Sequence, residues 1–185
     1  MKKLLISIGI LIIIVAIGGG SYLLLHKNKT TNTSTVATTK TSSAQKQLNL
    51  SLLLANLQKQ YPTVQQTYIY STNQDPNNEL GKAGGYVSGA EFYDTRTNTP
   101  PSESESAGST AFGADCGGAI EVYPNSSDAA SRASYLESFQ NDAALNPGAV
   151  KQVDNVVVRA SENYTGPEQT DMINYLASQV QDQLQ

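Results

Sequence analysis

Between Leu4 and Leu25 the chain runs for 22 residues without a charge, "LLISIGILIIIVAIGGGSYLLL". As a helix this run reaches about 33 Å, enough to cross a hydrocarbon core. A cleavable signal ending near Gly18–Ser21 is the competing reading. The apolar run resumes at Tyr22-Leu23-Leu24-Leu25, so residues 1–25 are expected to stay as a membrane anchor. No cysteine lies near the segment, which excludes attachment of a lipid through one. Residues 26–46, Ser/Thr-rich and nearly free of apolar side chains, read as a flexible linker. Its Asn28–Lys46 stretch, as a coil, would hold its ends about 25 Å apart.

The charge divides at the same place. Residues 1–46 hold six lysines and no acid, whereas all 16 acids follow residue 46 against six basic residues, so the body carries a net −10. A body of that sign repels phosphate backbones, and nucleic acid is not an expected partner. From the weak positive-inside signal and the polar linker, the body, 47–185, is expected outside a cell membrane, with the protein single-pass. Its 139 residues suffice for one domain with a real core.

That core has to form by packing alone, because Cys116 is the only cysteine and His26 the only histidine. The periodicities predict a helix over 48–60, strands over 65–71 and 86–95, and a long loop over 72–85. A second loop follows over 96–115, its acidic Ser/Glu run expected to be mobile. Beyond it come a strand over 119–123, a helix over 128–140 carrying Ala129, Ala133, Leu136 and Phe139, and a β-branched strand over 155–161. Thr165-Gly166-Pro167-Glu168 fits a capping box for a final helix. The order is α-β-β-β-α-β-α, and so few helices predict an α+β fold, a small antiparallel sheet with helices packed on one face.

Four segments, "DPNNELGKAGGY", "AEFYDTR", "GGAIEVYPNSSDAASRASYL" and "VVVRAS", resemble a set of small membrane-anchored or lipoprotein-like extracytoplasmic proteins of Gram-positive bacteria. The resemblance covers roughly Tyr61 to Ser161. It implies an extracytoplasmic setting and brings no activity or catalytic residue with it.

Chemistry has few places to reside. A cysteine nucleophile needs a base, usually His, and a redox exchange needs a second thiol; the body offers neither. Cys116, beside Gly117-Gly118, reads as a small residue in a tight bend, with an intermolecular disulfide as the alternative. Carboxylates work without histidine in glycosidases. Glu91 and Glu121 on predicted strands, with Asp94 nearby, are therefore the candidates for a cell-envelope hydrolase. Against that, strand carboxylates face solvent or pair with Arg96, Arg132 and Arg159. Asn73, Asp75, Asn77 and Glu79 alternate like the start of a calcium loop, but Asn78 and Gly84 stand where Gly and Glu belong, so the run reads as turns. "GKAGGY" lacks phosphate-loop spacing. No cofactor or metal is expected. The strand tyrosines Tyr68, Tyr70, Tyr93 and Tyr123 are the candidate binding residues, as aromatic anchors or as the margin of a small core. The expected function is a membrane-anchored binding or envelope-associated protein, whose partner is a protein or polymer of the envelope.

Overall fold

The computed structural model describes residues 47–101 and 113–185. The anchor expected over 1–25, the linker over 26–46 and the acidic Ser/Glu run lie outside the described residues. Among the described residues no helix is long and apolar enough to cross a membrane.

Helix α1 (Leu50–Gln60) begins at Asn49, whose side chain accepts from the Leu52 amide at 3.0 Å. Leu50, Leu53, Leu54 and Leu57 form its buried stripe, and Pro62 prevents continuation beyond Tyr61. Strands β1 (Val64–Ile69) and β2 (Ser88–Asp94) follow, with a 3-10 turn at Thr95–Thr97. A second 3-10 turn, Ala114–Cys116, leads into β3 (Gly117–Val122) and α2 (Ser126–Glu137). β4 (Ala149–Val153), β5 (Val156–Ala160) and α3 (Gly166–Leu184) complete the domain. The strands form one antiparallel sheet in the order β1-β2-β3-β5-β4. Pairing of β1 slips between Val64 and Gln66, which bends that edge.

An α+β domain is therefore observed, with two corrections. The order is α-β-β-β-α-β-β-α, because 149–153 is a strand rather than loop. It is an edge strand whose Lys151 and Gln152 are exposed, so it lacks the apolar run that marks β5. Asp154 and Asn155 join it to β5 in a two-residue turn, Val153 facing Val156 and Asp154 at φ 51°.

The second correction concerns the helices, which cover both faces of the sheet rather than one. On the first face, Ala90, Phe92, Ile120, Val122, Val156 and Val158 pack against α1 and α3, with Leu53, Leu57, Met172, Leu176 and Val180 fully enclosed. On the second face, Ala129, Ala133 and Leu136 of α2 pack over Val157, Tyr70, Tyr86 and Tyr123. Every residue of β3 is buried, and a strand buried on alternate sides needs cover on both.

The lone thiol finds its place in this frame. Cys116 is buried at the end of its 3-10 turn, and its carbonyl accepts from the Thr97 hydroxyl at 3.1 Å. A Cβ on Gly118 would stand 2.7 Å from the Phe92 ring, so that glycine lets the phenylalanine lie flat on the strand.

Candidate functional site

Alternation along β3 sends Ile120 and Val122 to the first face and Glu121 to the second. There Glu121, fully enclosed, meets Arg132 from the middle of α2. The guanidinium binds it with both prongs, Nε to Oε2 at 2.8 Å and Nη2 to Oε1 at 2.9 Å. The Tyr123 hydroxyl donates to Oε2 at 2.8 Å. Burial pulls the Arg132 pKa down, but the hydrogen bonds and charge of Glu121 outweigh it and hold the group above its ordinary value.

Glu91 reaches the same face from β2, diagonal to Glu121, since Glu91 pairs with Ala119 and Gly89 with Glu121. It is also fully enclosed and accepts from the Tyr70 hydroxyl at 3.2 Å. Burial, and then the charges of Glu91 and Glu121, raise the Tyr70 pKa far above its usual value. Arg159 stands in register across the small Ala119, its Nη2 donating to the Pro147 carbonyl at 3.3 Å. Burial lowers its pKa, and its buried Nε has no hydrogen-bond partner.

Asp94 alternates to the other side. It is clasped by Arg96, with Nη2 to Oδ2 at 2.6 Å, and by the Tyr164 hydroxyl at 2.9 Å. Burial pushes its pKa up, but these bonds prevail and hold it below the ordinary carboxylate range. Glu91, Glu121 and Asp94, the hydrolase candidates, are thus separated by the sheet, two on one face and one on the other. All three show no exposure to solvent.

The candidate binding tyrosines divide as well. Tyr70 and Tyr123 are buried, while Tyr68 and Tyr93 are half-buried. Tyr68, Tyr70, Tyr86 and Tyr123 form a continuous row, with ring centroids 6.2, 5.7 and 6.1 Å apart in succession. The row holds the 72–85 loop to the sheet, because Tyr86 donates to Asp75 through a short hydrogen bond. Asp75 in turn accepts from the amides of Asn77, Glu79 and Leu80 at 3.0, 2.5 and 2.7 Å. Burial alone would raise the Asp75 pKa, but the Tyr86 hydroxyl and those amides bring it below its ordinary value. The carboxylate at the centre of the calcium-like run therefore staples a loop. Among the described residues no group of three or more His, Cys, Asp or Glu is gathered to hold a metal.

A cleft of about 390 Å³ lies open between that loop and α2, within the range of about 300–1,000 Å³ common for small-molecule sites. Glu79, Gly84 and Gly85 form one wall; Asp128, Ser131 and Tyr135 form the other. Tyr123 and Arg132 also line it, the latter being the outer member of the Glu121 pair. Tyr135 is 56% exposed, and its ring is braced edge-on by Phe139 at 5.0 Å. Sequence reasoning passed over Tyr135. The signal available was its position on α2, off the Ala129–Ala133–Leu136 stripe, where an aromatic side chain gains nothing from the core.

No family of known proteins, no curated protein and no solved structure matches the chain.

Proposed function

We propose that the chain is a membrane-anchored, extracytoplasmic binding protein of the cell envelope, held by residues 4–25 and presenting the α+β domain outside a single-pass anchor. The uncharged run, the polar linker and the acidic body support the placement. One observation carries the choice of binding over hydrolysis. The carboxylates Glu91, Glu121 and Asp94 are enclosed and engaged by tyrosine or arginine, whereas the cleft beside α2 is open to solvent. A general acid or base has to reach the proton it transfers, and none of these three presents an oxygen to solvent.

The test has two arms. Protease added to intact cells should release a fragment beginning between Asn28 and Lys46; protection until lysis would invert the topology. The purified full chain should co-sediment with isolated cell envelopes and release no soluble sugar or peptide from them. Release that disappears in Glu91→Gln or Glu121→Gln would replace binding with hydrolysis.

A further inference from the structure

We infer that the cleft between α2 and the 79–85 loop receives an uncharged, polyhydroxylated ring, the sugar unit of a neutral glycan. This inference rests on the binding reading above and names the ligand class of that site.

The mixed character of the lining carries the inference. An anion would meet Glu79 and Asp128, neither of which forms an ion pair among the described residues, under the field of a body at −10. The single guanidinium present is already committed at two of its nitrogens to Glu121. The two carboxylates would attract a cation, which is why a cationic probe enters the test below; the Arg132 guanidinium, 5.8 Å from the centre of the Tyr135 ring, keeps the lining mixed in sign. A hydroxyl both donates and accepts, so a sugar uses both signs of the lining at once. Glu79 and Asp128 accept from it. Ser131, whose own proton goes to the Ser127 carbonyl at 3.0 Å, accepts a further bond.

The apolar part of a sugar needs a flat partner, and the braced, exposed Tyr135 ring supplies one. The opposite wall is kept low at Gly84, where the space a Cβ would take is open, so a ring can approach the backbone. At Gly85 a Cβ would stand 2.1 Å from the Glu79 carbonyl oxygen, so any other residue there would push Glu79, and with it that wall, out of place.

The purified full chain, titrated with chitotriose and with maltotriose under ligand-observed NMR, tests the assignment; trilysine and inorganic phosphate serve as charged probes. Saturable binding of at least one sugar is expected. Tyr135→Ala should weaken it by about tenfold, as loss of an aromatic platform does, with the unfolding midpoint kept. Glu79→Gln should also weaken it, which guards against a misfolded Tyr135 variant. Preferential binding of trilysine or phosphate, or sugar binding indifferent to both substitutions, overturns the inference. No sugar binding by a chain that still co-sediments with envelopes removes the ligand class and leaves the binding reading standing. Failure of both removes both.

Discussion

The side of the sheet that packs on α1 and α3 is sealed largely with Leu, Val, Ile, Met and Phe; the side under α2 is sealed largely with tyrosines, carboxylates and arginines. Both sides exclude water, yet they respond to change differently. The first side is held by burial of apolar area, which is non-directional and tolerates repacking. The second depends on directional bonds in which Tyr70, Tyr86, Tyr123 and Arg132 each meet a carboxylate. Removing one partner there leaves another buried and unanswered. The aliphatic side makes the domain stable, and the polar side fixes where α2 and the 72–85 loop stand, and with them the cleft.

The sharpest way to break this comparison begins on the aliphatic side. Phe92→Ala should cost about 3–5 kcal/mol in a denaturant titration, because the ring fills space that Gly118 leaves open. Envelope binding by the fraction still folded should persist. On the polar side, Glu121→Leu should cost about 3 kcal/mol by leaving Arg132 and the Tyr123 hydroxyl without their acceptor. The double variant Glu121→Leu, Arg132→Met should recover most of that loss. If the single variant is as mild as a surface change, the polar side is decoration and the comparison fails.

A smaller effect separates the loop from the helix. Tyr86→Phe should cost about 2 kcal/mol, the scale of a hydrogen bond to a charged acceptor. It should loosen the 72–85 loop in hydrogen exchange without touching α1 or α3. The same row of tyrosines predicts an alkaline limit. Burial first, then the nearby carboxylates, raise Tyr70 in the folded state above its ordinary 10.0; burial and Glu121 do the same for Tyr123. Protons held by the folded form and lost by the unfolded form stabilise folding fully below pH 10.0, and that stability drains away as pH rises beyond it. Tyrosinate absorbance should therefore rise together with loss of structure. Separate, earlier ionisation of the buried tyrosines would contradict their enclosure.

The smallest effect lies at the start of α2. Asn125 accepts from the Asp128 amide at 2.9 Å, and Asn125→Ala should cost about 1 kcal/mol. Because that first turn carries Asp128 and leads directly into Ser131, sugar affinity should fall in the same variant while the aliphatic side stays intact.

Much of this fold was legible from periodicity, since α1, β5 and α3 each carry an unbroken apolar pattern. Strand β4 was missed because an edge strand shows half its residues to water, and Lys151-Gln152 interrupts the alternation. The hairpin cue was present in the two turn formers Asp154-Asn155 between runs of valine. Cover on both faces was also written in β3, where Gly-Gly-Ala-Ile-Glu-Val alternates small, apolar and acidic residues. The glutamate read either as facing solvent or as pairing with an arginine, and Arg132, 11 residues later, is that partner. The cleft was the least legible feature. It depends on where the 72–85 loop folds back, and that is set by Asp75 gathering three amides and the Tyr86 hydroxyl, none of which has a periodicity to read.

The two margins of the sheet carry unequal protection against self-association. β4 presents Lys151 to solvent, and a lysine on an exposed edge opposes pairing with another chain. β1 has no charged residue from Val64 to Ile69, and its pairing slip between Val64 and Gln66 is the main obstacle to extension. At high concentration the risk of aggregation therefore falls on β1, and Gln66→Lys would give that margin the guard that β4 already has.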